Sequence, residues 1–188
     1  FALESDGNHV TLASATLQVG DWSMESTDQV SLQYAGPVLQ PFTTYHAALT
    51  ATASNGDTAQ AELDFETGRM DTPWQGQWIS DPAYRFTEKK VSPVPMVFRK
   101  AFHPGKPVAA ARLYVTAMGI YELELNGQKV GDRWFAPGFT SYKTNLQYQT
   151  YDVTRQLGEY NTLVATVAGG WAVGSFVFTR VNRVTADR

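Results

Sequence analysis

Apolar and polar residues alternate along much of the chain with a period of two. Tyr121, Leu123 and Leu125 alternate with Glu122 and Glu124, which predicts a strand with one apolar and one wet face. Asn126-Gly127 follows, two residues that tolerate the positive φ a tight type I′ hairpin requires, so the chain should reverse there. Tyr45, Ala47, Leu49, Ala51 and Ala53 share one parity, and Ala61, Leu63 and Phe65 alternate with Glu62, Asp64 and Glu66. These two runs flank Asn55-Gly56 and predict a second hairpin. Met96, Phe98 and Phe102 alternate with Val97, Arg99 and Ala101. Further strands are expected at Arg112–Thr116 and from Leu163 through Ala165 to Val167, and Gly119 marks a bulge or a close backbone approach. Leu146 and Tyr148 lie on the opposite parity from Tyr151 and Val153, which predicts a bulged strand or one covered on both faces. Asp152–Leu157 predicts one helical turn, with Asp152 or Thr154 as N-cap and Gly158 ending it.

Turn residues at Asp6-Gly-Asn8, Gly20-Asp21, Gly36-Pro37 and Asn55-Gly-Asp57 divide the first part of the chain into strand lengths. The pattern therefore predicts an all-β protein of two consecutive antiparallel units. Residues 1–70 form the first, 71–95 a linker and 96–188 the second. Trp74 and Trp78 sit in the linker, where they suit packing between the units better than a sugar platform. Residues 81–95 are polar and proline-punctuated, as a surface loop would be. The segment Leu39-Gln-Pro-Phe-Thr-Thr-Tyr45 resembles the tyrosine corner of fibronectin type III domains, in which a tyrosine hydroxyl bonds back to upstream backbone. That resemblance implies a β-sandwich, and the unit is short for a full one, so a truncated sandwich is expected. The first and last residues, Phe1 and Arg188, read as points inside a longer polypeptide.

Composition narrows the function. The 188 residues are 43% hydrophobic and 13% aromatic, enough for a packed core and suited to sheets. A net charge of −3 supplies no basic field for nucleic acid. No apolar run approaches the roughly 20 residues a membrane span needs. The absence of cysteine removes disulfides and thiol chemistry without identifying a compartment.

The candidates for catalysis are thin. Glu122 and Glu124 lie about 6.6 Å apart by strand rise, near the separation of inverting glycosidase carboxylates, roughly 6.5–9.5 Å. Nothing in the pattern desolvates one of them, and a solvated strand face accounts for both. His9, His46 and His103 have no metal-ligand spacing, and Gly169-Gly170 lacks the lysine and helix of a phosphate loop. Gly169-Gly-Trp171-Ala-Val-Gly174 is different. Glycines allow a sharp bend, and a tryptophan carried there can lie against the CH face of a sugar ring. Trp171 and Trp134 are the candidate carbohydrate-binding residues, with core capping or docking on another domain as the competing role.

Six short motifs occur in one order: Gly119–Gly127 (GIYELELNG), Val130-Gly-Asp132, Ala136-Pro-Gly138, Thr140-x-Tyr142, Gln147–Thr154 (QYQTYDVT) and Gly169-Gly-Trp171-x-x-Gly174. Together they resemble the N-terminal domain of bacterial α-L-rhamnosidases, glycoside hydrolase family 78, over roughly Trp74 to Gly174. The resemblance implies a jelly-roll-like, non-catalytic β-sandwich ahead of an (α/α)-barrel that carries the acid and base. The parent would remove terminal α-L-rhamnose by inversion, and these residues alone would be inactive. The implied partners are that barrel and a rhamnose-containing carbohydrate. Calcium is a cofactor candidate, since related sandwich modules hold it. Asp132, Asn126 and Asp152 could offer oxygens, though no dense acidic cluster appears and no ligand set carries over. A rhamnose-binding module and an adhesion or assembly pair remain as alternatives.

Overall fold

The computed structural model describes residues 10–28, 33–82, 94–176 and 181–184. His9 and most of the 81–95 loop lie outside them. The chain divides into two units, Phe1–Gln77 and Trp78–Arg188. The division falls inside the segment expected to link them. Almost all regular structure is β, as the alternation predicts.

Among its described residues the first unit forms one four-stranded antiparallel sheet. Its strands are β1 (Leu12–Val19), β2 (Trp22–Ser26), β3 (Thr44–Ala53) and β4 (Thr58–Glu66), in the order β2-β1-β3-β4. The hairpin at Asn55-Gly56 forms as expected, with Gly56 at φ +88° and Tyr45 opposite Phe65. The tyrosine corner is present, because the Tyr45 hydroxyl accepts a 2.8 Å hydrogen bond from the Gln40 backbone N–H. Tyr45 enters β3 as the corner tyrosine enters strand F, and β2-β1-β3-β4 then runs as strands C′-C-F-G of an immunoglobulin-like sandwich. At the end of this unit the Arg69 guanidinium sits 4.4 Å from the centre of the Trp74 ring. Trp78, which opens the second unit, is largely exposed.

The second unit is built on β5 (Met96–Phe102), β6 (Arg112–Val115), β7 (Ile120–Leu125), β8 (Gln128–Lys129), β9 (Gln149–Asp152) and β10 (Asn161–Ala168). A hairpin of β11 (Val173–Phe176) and β12 (Val181–Val184) follows. One sheet runs β5-β10-β7-β8 and a second pairs β6 with β9. The apolar side of β7 lies between them. Tyr121, Leu123 and Leu125 are 5%, 3% and 2% exposed, packed with Leu113 and Val115 of β6, Tyr151 of β9 and Leu163, Ala165 and Val167 of β10. Burying three such side chains stabilises by very roughly 5–8 kcal/mol before entropy is counted.

Asn126-Gly127 makes the predicted turn, with φ +55° and +77°, and Leu125 faces Gln128. Asn126 also binds beyond its turn. Its side-chain NH₂ donates to the Gln156 carbonyl at 2.8 Å and to Asn161 Oδ1 at 2.9 Å, while its oxygen accepts from the Thr162 N–H at 2.8 Å. Asn161, a buried polar residue, returns two 2.8 Å bonds to Gly158. These bonds fix the loop ahead of β10.

Gly119 is a site of close approach rather than a bulge. A Cβ there would lie 2.1 Å from the Ala168 carbonyl oxygen, at φ +146°. Two other local readings need correction. Leu146 and Tyr148 belong to no bulged strand, because β9 begins only at Gln149; their parity conflict reflects irregular backbone. The predicted helical turn is a 3₁₀ turn at Thr154–Gln156 whose N-cap is Val153, not Asp152 or Thr154, and Leu157 rather than Gly158 closes it. Asp152 still serves that turn, since its Oδ1 accepts from the Thr154 N–H at 2.9 Å.

Two consequences are measurable. Gly119→Ala should cost about 3 kcal/mol or more in urea unfolding, because its methyl meets backbone that cannot yield. Asp152 is held below the ordinary carboxylate range, first by its hydrogen bonds to Thr154 and then by Arg112, whose Nη1 lies 3.1 Å away. A depressed folded-state pKa contributes stability at neutral pH that is lost as pH falls through it. The melting-temperature gap between wild type and Asp152→Asn should therefore stay level above about pH 5 and close below about pH 4.

Candidate functional site

The loop carrying Trp171 is seated by backbone packing. A Cβ on Gly170 would lie 2.8 Å from Ile120 Cγ2 and 3.1 Å from the Ile120 nitrogen. Gly119 faces Ala168 and Gly169 in the same way. The glycines thus let the Gly-Gly-Trp turn settle onto the start of β7. The N–H groups of Ala172 and Val173 then donate to the Gly169 carbonyl at 3.1 and 3.0 Å. Ala172 is fully buried, which turns neighbouring Trp171 outward.

Trp171 meets aromatic company at the surface. Phe135 and Phe139 approach it edge-to-face, with ring centroids 6.1 and 6.2 Å away. Phe139 in turn packs edge-on against buried Tyr142 at 6.3 Å. Trp171 is 37% exposed, Phe139 53% and Phe135 61%. Edge-to-face pairs are worth roughly 0.5–1.5 kcal/mol each beyond the area they bury. The three rings form an exposed apolar patch.

Beneath this patch a hydrogen-bonded frame holds the 131–147 loop. Tyr121 N–H donates to the Ala136 carbonyl at 2.7 Å. Its hydroxyl donates to Gln149 Oε1 at 2.9 Å and lies 3.2 Å from the Tyr151 hydroxyl. The Gln149 amide donates onward to the Pro137 carbonyl at 3.0 Å. Burial, then the bond to Tyr151, push the Tyr121 phenol far above its ordinary range, so it stays a neutral donor. The frame holds Phe135 at φ +56°, a left-handed conformation that is uncommon for a bulky residue. Non-glycine positive φ costs about 1–3 kcal/mol and persists where surrounding contacts over-determine it.

Trp134, the other candidate, is 70% exposed and turns toward β8. Lys129 Nζ sits 3.4 Å from its ring centre, a cation–π contact that occupies one face of the indole. A sugar stacking on Trp134 would use the opposite face or displace the lysine. Phe135 and Phe139, which surround Trp171, were not anticipated. Their sequence signal is a pair of aromatics flanking Ala136-Pro-Gly138, a cue without periodicity.

The remaining candidates do not assemble. Glu122 and Glu124 point from β7 into solvent, and Lys129 Nζ lies 3.9 Å from Glu122 Oε1. His46 pairs with Asp64 at 2.9 Å on the first unit, and His103 faces Glu159 at 3.8 Å on the second. Of the proposed calcium oxygens, Asn126 Oδ1 is taken by Thr162 and the Asp152 carboxylate by Thr154 and Arg112. Among the described residues, no three His, Cys, Asp or Glu side chains gather as a metal cluster.

Residues 106–187 match the family model described as the alpha-L-rhamnosidase N-terminal domain. An alpha-L-rhamnosidase of Streptomyces avermitilis is 46% identical over 91 residues, 46% of this chain and 9% of its own length. One of Formosa agariphila aligns along the whole chain at 26% identity, over 23% of its own length. The alpha-L-rhamnosidase structure from Aspergillus terreus superposes with a TM-score of 0.78 and 27% identity, covering 94% of this chain and 22% of that one. The chain thus spans between 9% and 23% of the curated relatives it matches. Residues 106–187 thus match the α-L-rhamnosidase N-terminal domain, and the chain as a whole is similar in sequence and fold to the N-terminal region of such enzymes.

Proposed function

We propose that this chain is the non-catalytic N-terminal part of an α-L-rhamnosidase that hydrolyses terminal α-L-rhamnose from glycosides, and that it braces the catalytic barrel. The observation that carries this reading is the match of residues 106–187 to the family's N-terminal domain, in a chain covering less than a quarter of its relatives. The chemistry agrees. Hydrolysis by two carboxylates needs one kept protonated by a desolvating surround. Glu122 and Glu124, the nearest to a pair, stand on an exposed strand face.

The exposed rings of Phe135, Phe139 and Trp171 are the surface we assign to the barrel. An apolar patch held by a rigid frame suits a permanent contact within one polypeptide. The same patch supports a second reading, in which Trp171 meets rhamnose, whose methyl group widens the apolar face it offers an indole.

The isolated chain should release no product from an aryl α-L-rhamnoside, whereas a polypeptide extended through the barrel should; release by the isolated chain would sink the proposal. Phe139→Ser should shift the isolated chain by no more than about 1 kcal/mol, because the ring is already half exposed, yet lower the melting temperature of the extended protein by several degrees. Rhamnose titration followed by tryptophan fluorescence, with and without EDTA, separates the second reading. A flat trace to tens of millimolar is expected for a brace, and a saturable change lost in Trp171→Ala would mark a sugar site.

A further inference from the structure

Two loops of the second unit face each other across a groove of about 560 Å³. One wall is residues 103–108, from the connection between β5 and β6. The other is Thr154 with residues 157–159, ahead of β10. None of the aromatic patch around Trp171 lines it. Its volume falls within the roughly 300–1,000 Å³ of sites that hold small molecules.

Both walls are held before any ligand arrives. Pro104 and Pro107 fix φ at two positions of the first wall. Ala111, just beyond that wall, donates its N–H to Thr154 Oγ1 of the second at 2.9 Å. Gly158 is fastened by its two bonds to Asn161. His103 Nε2 of the first wall and Glu159 Oε1 of the second stand 3.8 Å apart. A groove fixed in this way spends little free energy on ordering when it binds.

The lining is divided by chemistry. Pro104, Pro107, Val108 and Leu157 supply apolar surface, and His103, Lys106 and Glu159 supply polar heads. Lys106 has no ion-pair partner among the described residues. Beside the groove Tyr160 is 76% exposed, with its ring centre 4.9 Å from that of His103. His103 covers one face of the phenol, and the exposure leaves the other to solvent.

We propose that this groove binds a rhamnosyl residue, an inference that rests on the reading above that the parent acts on α-L-rhamnosides. A 6-deoxy sugar presents a methyl group, a CH face and neighbouring hydroxyls, and the groove answers each. The methyl group meets the proline and Val108 surface. The CH face lies against the open side of Tyr160. The Glu159 carboxylate accepts from one hydroxyl, and the Lys106 ammonium donates to the next. Water competes for these polar heads, so a dissociation constant of about 1 mM is expected.

Amide NMR on the isotopically labelled 188-residue chain tests it, with methyl α-L-rhamnopyranoside as the probe. Saturable shifts are expected at 103–108 and 157–160, the Gly105 and Gly158 amides included. No tryptophan lines the groove, so fluorescence should stay flat while these amides move. Tyr160→Ala removes an exposed ring and should fold normally, yet weaken binding about fivefold. Lys106→Ala should weaken it about tenfold. Arg99→Ala, which removes an exposed cation outside the groove, should leave it unchanged. No shift up to 50 mM probe would overturn the proposal. So would shifts confined to 135–139 and 169–174, equal shifts with glycerol, or groove shifts indifferent to both the Tyr160 and Lys106 changes. Hydrolysis of an aryl α-L-rhamnoside by the extended protein, with no shift in the isolated chain, would sink this inference and leave the reading of the parent intact.

Discussion

Tyr121 is held at both of its ends, and the second unit depends on that. Its backbone N–H is given to Ala136, its ring is buried against β6, β9 and β10, and its hydroxyl meets Gln149 and Tyr151. The first bond ties the 131–147 loop to the central strand. The last two tie the two sheets together across the core. A buried hydroxyl left unpaired costs about 1–3 kcal/mol, so the arrangement is stable only while all partners are in place. The surface aromatics inherit their positions from this interior contact. Trp171 is seated on the same strand from the other side, through the packing of Gly170 on Ile120.

The parts of the fold that could be read from the chain were those decided within a few residues. Asn126-Gly127 and Asn55-Gly56 announce their turns because positive φ is a local demand. Tyr45 announces its corner because its partner, Gln40, is five residues away. Period-two alternation revealed β3, β4, β5, β7 and β10. What stayed hidden was non-local. Phe135 and Phe139 reach Trp171 across more than thirty positions, and no rule of spacing links them. Leu146 and Tyr148 misled because their apolar character suggested a strand where the backbone is irregular. The N-cap at Val153 was hidden for a subtler reason. Asp152 makes the side-chain bond a cap would make, but one residue before the position the helical geometry assigns.

The two units show that alternation specifies a strand without specifying what lies over it. Tyr121 and Leu49 occupy equivalent places in their patterns. One is sealed by strands contributed from 111–153 of the same unit, and the other waits on a layer that the described residues of its unit do not contain. Burial is thus a property of topology, and sequence periodicity records only the readiness for it. The same distinction bears on Glu122 and Glu124. Their spacing along the strand suits a catalytic pair, yet they stand on an exposed face rather than in an enclosed site.

Asn126 carries a last implication, for chemical ageing. An asparagine followed by glycine is the dipeptide most prone to cyclise to a succinimide and deamidate, because the glycine nitrogen can reach the side-chain carbonyl unhindered. Here that amide is clamped by Gln156, Asn161 and Thr162. The side chain must abandon all three before the ring can close. The turn chemistry that makes the hairpin tight would otherwise make it perishable, and the clamp that fixes the neighbouring loop also slows that decay.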